Sequence, residues 1–171
     1  MKKKNIIELT RCDVEGYRAM EKLPVRVLCD NVRSMHNVGA IFRTSDAFLI
    51  DSVILCGITG RPPHPEIAKS ALGAEESVAW SYAEDALAET LRLKEEGWRI
   101  LVLEQTHGSL SLREYHRREG ERVVLVVGNE VEGVDQRIVD IADICLEIPQ
   151  YGTKHSLNVS FSAAIALWQI V

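Results

Sequence analysis

No stretch of this 171-residue chain approaches the run of about 18 apolar residues that a membrane-spanning helix needs. Met1-Lys2-Lys3-Lys4 does not lead into the apolar core of a secretion signal either, because Asn5 and Glu8 follow it. The four cysteines, Cys12, Cys29, Cys56 and Cys145, are scattered and include no Cys-x-x-Cys pair. They read as reduced, mostly buried thiols and argue against a zinc site. His36, His64, His107 and His116 show no metal-ligand spacing, and no Ser-His-Asp order or Cys-His pair stands out. The Gly-x-Gly-x-x-Gly dinucleotide fingerprint and the Gly-Lys-Ser/Thr of a phosphate-binding loop are both missing. So are internal repeats, low-complexity tracts and linkers. Net positive charge is lacking too: −5 at pH 7 argues against a protein that coats nucleic acid by bulk charge. What these absences leave is a metal-free protein of the cytoplasm, with no membrane attachment.

The apolar fraction of 46% and charged fraction of 26% are those of an ordinary globular protein, long enough to bury a real core. One domain over residues 1–171 is expected, with 1–24 as its helical extension. Charge is divided unevenly. Residues 1–73 hold eleven Lys and Arg against eight Asp and Glu, or +3; the remainder holds nine against seventeen, or −8. A polyanion site would draw on the amino-terminal half, from the Lys2–Lys4 tail through Arg33, Arg43, Arg61 and Lys69.

Apolar periodicity predicts helices over 5–22 (Ile6, Ile7, Val14, Tyr17), 38–48, 66–72, 84–96 and 135–141. Strands are predicted over 25–29, 52–56, 77–82, 99–103, 123–127 and 144–148. The last helix, from Phe161, is apolar nearly all round, so burial on more than one side is expected. Continuously apolar strands alternating with helices imply an α/β fold with a parallel sheet covered on both faces. Ligands in such folds sit beyond the carboxyl ends of the strands. Three loops there are rich in function-capable groups: those after Cys29, Val127 and Ile148.

Each loop also has a plain structural reading. Asn37 sits where a helix N-cap would. Arg43, among apolar neighbours, either pairs with Asp46 or faces an anion. Gly128-Asn129-Glu130-x-x-Gly133 is a strand-to-helix turn or a loop that lets backbone approach a ligand closely. Ser156 and Asn158 could simply cap the last helix, and His155 beside Lys154 reads as a solvated loop histidine.

Taken together the loops are far more specific. Asn31-x5-Asn37-x-Gly39-x3-Arg43-Thr44-x-Asp46-Ala47, Val127-Gly128-Asn129-Glu130-x2-Gly133-Val134 and Ile148-Pro149-x2-Gly152-x3-Ser156-Leu157-Asn158-Val159-Ser160-x-Ser162-Ala163-Ala164 occur in that order. This set resembles the three motifs of the SpoU/TrmH group of SPOUT RNA methyltransferases, over roughly residues 25–171. Lys69-Ser70-Ala71-Leu72-Gly73-Ala74 is similar to the family's stretch between motifs one and two. The chain departs from the pattern at Gln150, where many relatives carry Met, and in having no extra RNA-binding domain ahead of the motifs.

The resemblance implies a parallel-sheet SPOUT fold with a deep C-terminal trefoil knot, a homodimer with a shared site, and S-adenosyl-L-methionine as cofactor. It implies methyl transfer to a ribose 2′-OH of tRNA or rRNA. Arg43, Asn37, Glu130, Ser156 and Asn158 would serve the reaction. Leu103, Gly128, Asn129, Gly133, Ile148, Gln150 and Leu157 would line the cofactor site, and Arg33, Arg61, Lys69 and Lys154 would meet the RNA. No metal is implied. A SPOUT base methyltransferase and a catalytically idle RNA-binding module are the alternatives; a nucleotide-dependent oxidoreductase is disfavoured by the absent fingerprint.

Overall fold

A computed structural model describes residues 1–5, 8–9 and 11–171. A seven-stranded, all-parallel sheet runs through the molecule: β1 (Leu23–Asp30), β2 (Ile50–Cys56), β3 (Ala79–Ala83), β4 (Arg99–Leu103), β5 (Leu110–Ser111), β6 (Val123–Val127) and β7 (Ile144–Glu147). Their spatial order is β3-β2-β1-β6-β4-β7-β5, which places the Val-Val-Leu-Val-Val strand β6 at the centre. All five of its residues are buried, and they alternate between two cores. Val123, Leu125 and Val127 face one cluster, while Val124 and Val126 face the other. Both faces being covered is why this strand is uniformly apolar.

Helices α2 (Met35–Ala47), α3 (Pro65–Ala71) and α7 (Val159–Ile170) contribute to the first cluster, together with Tyr17 of α1 (Val14–Ala19) and Ala74 of α4 (Ala74–Ser77). Ala86 and Leu93 of α5 (Ala86–Glu95) and Ile138 of α6 (Gln136–Ile141) contribute to the second. A 3-10 turn over Leu112–Glu114 precedes the central strand. Among the described residues no helix is long and apolar enough to cross a membrane, and no group of His, Cys, Asp and Glu could hold a metal ion.

Three expectations need correction. The long first helix is only α1: Asp13 caps it, its carboxylate accepting from Gly16 N–H at 2.7 Å, and Met20 leaves it with an extended backbone that leads into β1. Ile6 and Ile7, part of the basis for a longer helix, lie outside the described residues. Helix α2 starts at Met35, because Ser34 is its N-cap, so Asn37 belongs to the first turn and is not a cap. The last helix, α7, buries Ser160, Ala163, Ala166, Leu167 and Ile170, yet Phe161 and Trp168 are 67% and 74% exposed. Within one chain the sheet and α2 cover one side of α7, and among the described residues the other side stays largely exposed.

The connections that follow β1, β4, β6 and β7 all leave the sheet at its carboxyl edge, since every pairing is parallel. That edge carries the site.

Candidate active site

Central strand β6 ends at Val127, and the chain turns at Gly128. A Cβ built on Gly128 would overlap the backbone of Gly133 and Val134, so only glycine lets the loop fold back this tightly. Asn129 and Gly133 exchange backbone hydrogen bonds at 3.0 Å in both directions. The Asn129 side chain fixes the loop twice: its Oδ1 accepts from Val131 and Glu132 N–H, and its Nδ2 donates to the Asn31 carbonyl at 2.9 Å. Buried Asp30 completes the clamp, accepting from Asp135 N–H and the Asn31 amide, each at 2.8 Å.

This loop carries Glu130 to the amino end of α2. Its carboxylate accepts from Arg33 N–H at 2.9 Å, Ser34 N–H at 3.0 Å and Asn37 Nδ2 at 2.8 Å. Burial raises the carboxyl pKa, but these hydrogen-bond donors outweigh it and hold Glu130 below the ordinary carboxylate range. Because the Asn37 amide nitrogen faces the carboxylate, its oxygen faces α7, where it accepts from Asn158 Nδ2 at 3.0 Å. Asn158 Oδ1 in turn caps α7, accepting from Ser160 N–H at 2.9 Å and its hydroxyl at 2.7 Å. One polar chain, Glu130–Asn37–Asn158–Ser160, therefore joins the three loops that the sequence singled out.

Beside it lies a cavity of about 430 Å³, bounded by the 128–134 loop, the end of β4 and the bend over 148–158. Leu103, Gly128, Asn129, Gly133, Ile148, Gln150 and Leu157 all line it, as do Glu130, Ser156 and Asn158. Asn37 stands behind the wall, bonded to Glu130 and Asn158. Arg43 does not line the cavity. It is exposed on α2 and forms no hydrogen bond or ion pair among the described residues; Asp46, its possible partner, accepts from the Ser77 hydroxyl at 2.5 Å instead. Arg33, Lys69 and Lys154 are exposed as well, and Arg61 lies over the Tyr82 ring.

Four carboxylates line the cavity, those of Glu104, Glu130, Glu132 and Glu147, and no Lys or Arg does. Glu104 went unnoticed in the sequence although it follows β4 as directly as Gly128 follows β6. It accepts from Val134 N–H at 3.1 Å and Gln105 N–H at 2.9 Å, bracing the loop from the far side. Ser160 is visible in the sequence only as one polar residue of the third motif, and the structure makes it the end of the polar chain. The thiols have no part in the site. Burial pushes Cys56 up to about 12 and the Cys29 pKa higher still, so neither is a ready nucleophile.

Residues 24–168 match the model of the SpoU rRNA methylase family. The chain is 35% identical over 147 residues to a tRNA (guanosine(18)-2′-O)-methyltransferase of Aquifex aeolicus, covering 84% of this chain and 66% of that protein. It is 34% identical over 145 residues to a 23S rRNA (guanosine-2′-O-)-methyltransferase of Neisseria meningitidis, covering 84% and 56%. It thus spans somewhat more than half, and less than two thirds, of these relatives. Among solved structures, an A. aeolicus TrmH/SpoU tRNA modifying enzyme superposes with a TM-score of 0.79 at 31% identity, covering 91% of this chain and 77% of that one. An AdoMet-bound rRNA methyltransferase from Sinorhizobium meliloti gives a TM-score of 0.79 at 27% identity, covering 90% and 58%.

Proposed function

This chain belongs to the SpoU rRNA methylase family, and we propose that it transfers a methyl group from S-adenosyl-L-methionine to a ribose 2′-OH of tRNA or rRNA. One observation carries the reading: the seven positions that the family resemblance gives to the cofactor all border a single cavity, of a size that suits a cofactor. The donor set agrees. A pocket with four carboxylates and no Lys or Arg favours a ligand bearing positive charge, as a sulfonium does. When bound, this cofactor supplies an electrophilic methyl carbon.

The protein's own work is then to bind, to orient and to manage one proton. Backbone groups of 128–134 and 148–158 would hold the cofactor. Glu130, through Asn37 and Asn158, locks the two loops and α2 into one unit, which fixes where an incoming ribose can sit. As the C–O bond forms and the C–S bond breaks, the hydroxyl proton must leave. Arg43 is a poor base, since a guanidinium stays protonated. Its part is to bind the adjacent phosphate and stabilise the developing alkoxide, with a substrate phosphate taking the proton. Ser156, exposed at the mouth, contacts the substrate, and Arg33, Lys69 and Lys154 supply phosphate contacts around it.

Arg43 stands off its own cavity, and this favours a homodimer in which a second copy completes the site. The exposed Phe161, Ile165 and Trp168 on α7 provide the apolar face, continuous with α2 through Phe48, whose ring lies 6.0 Å from that of Trp168. A deep C-terminal trefoil knot fits the contacts of the last segment. Gln105 after β4 holds the His155 carbonyl at 2.7 Å, and α7 then packs against α2, β4 and β6. A single SPOUT domain acting in the cytoplasm completes the proposal.

Incubating the protein with RNA from cells lacking it and methyl-labelled cofactor, then digesting to nucleosides, tests the reaction. Label in 2′-O-methylribose supports it; label confined to a base would replace it with base methylation.

A further inference from the structure

At the outer edge of the sheet, away from the cofactor cavity, β3 displays two large aromatics that the proposed reaction leaves unused. Trp80 and Tyr82 are two residues apart on one strand, so their side chains share a face, and both are more than one third exposed. The Arg61 guanidinium lies over the Tyr82 ring with Cζ 4.1 Å from its centroid, and no carboxylate pairs with it among the described residues. The Tyr82 hydroxyl donates to the Gly57 carbonyl at 3.1 Å, which holds the ring upright against the 57–65 loop. Trp80 borders a second cavity of about 510 Å³, lined also by Pro62, Pro63, His64, Pro65, Glu75 and Glu76.

The 57–65 loop is rigidly tied to the active site. Ile58 N–H donates to Asn31 Oδ1 at 3.1 Å, and the Thr59 hydroxyl bridges Val32 N–H and the Cys29 carbonyl. Gly60 packs directly on the Met35 thioether, one residue past the Ser34 that Glu130 holds. Arg33, just ahead of α2, and Arg61, in the loop tied to it, are both exposed, and His36 in the first turn of α2 is partly so.

We propose that Trp80, Tyr82 and Arg61 form a stacking platform for unpaired bases of the RNA substrate, flanking the nucleotide that enters the active site. Exposed aromatics beside a free guanidinium are the chemistry by which proteins grip unstacked bases without reading a duplex groove. Trp80 accepts one base, the Arg61 guanidinium held over the Tyr82 ring presents a planar cation to the next and contacts a phosphate, and the carboxylates near Trp80 accept from exocyclic amino groups at a base edge. The platform also offers affinity to a chain whose net charge is −5 and cannot hold RNA by bulk charge. This inference rests on RNA being the substrate.

Equilibrium binding of a short single-stranded RNA of mixed sequence to the full chain tests it. The comparison is between wild type and Trp80→Leu, Tyr82→Leu and Arg61→Gln, with S-adenosylmethionine affinity measured on the same samples. RNA affinity should fall at least fivefold for each ring, given about 1–3 kcal/mol per stacked base, while cofactor affinity stays unchanged. Tyr82→Phe keeps the ring and should bind as wild type. Unchanged RNA affinity in Trp80→Leu and Tyr82→Leu that bind cofactor normally overturns the platform, and would leave the surface to a protein partner. Failure of wild type to bind any RNA would remove the RNA reading itself, a distinguishable result.

Discussion

The amide of Asn158 donates to the amide oxygen of Asn37 at 3.0 Å, across 121 residues of chain. The other end of Asn37 is held by Glu130 at 2.8 Å, so a single side chain, 8% exposed, is the junction of three loops. Asn37→Ala strips partners from both neighbours at once. It should cost about 1–3 kcal/mol in denaturant unfolding and lower turnover at least tenfold. Turnover within twofold of wild type would remove Asn37 from the account.

Arg43 gives the opposite profile. It is exposed and unpaired among the described residues, so Arg43→Ala should leave stability within about 0.5 kcal/mol of wild type. Turnover should nevertheless drop by about a hundredfold, the scale of losing one preorganised charge at a developing oxyanion. Cofactor affinity, by calorimetry, should not change.

Glu130 makes the site sensitive to acid. Its carboxyl pKa is lower in the folded protein than the ordinary value, so its contribution is complete above that value and fades as pH falls through the folded one. Wild type should therefore be more stable than Glu130→Gln by a constant margin between about pH 6 and 8, narrowing below about pH 4.5. A margin that instead grew toward acid would contradict the hydrogen bonding described here.

Trp168, 74% exposed on an apolar helix, is the side chain that a second copy would cover in the proposed homodimer. Trp168→Glu should turn a dimer into a monomer in light scattering and abolish turnover with it, because Arg43 of the second copy is withdrawn. A wild-type monomer with full activity would rule out a shared site.

Much of this was legible in the residues. Val123–Val127 announced a buried strand, and the three polar loops following strands pointed to the carboxyl edge of a parallel sheet. What spacing could not tell is which atoms meet. Asn37 looked like a cap because capping and bridging use the same side chain, and only the position of Ser34 separates them. Glu104 carried no motif, being one acidic residue among 25, and its role comes from lying opposite Gly133 in space. The exposed side of α7 was equally hidden, since an apolar surface reads the same in sequence whether its cover is its own chain or another.

Titration calorimetry with S-adenosylmethionine, on wild type and Gly128→Ala, decides whether this cavity holds the methyl donor. A methyl in place of the Gly128 hydrogen collides with the Gly133 and Val134 backbone and must open the cavity. One molecule should bind per wild-type chain, and none to a folded Gly128→Ala. No heat with wild type, or equal binding by both, would contradict the assignment of this cavity to the methyl donor.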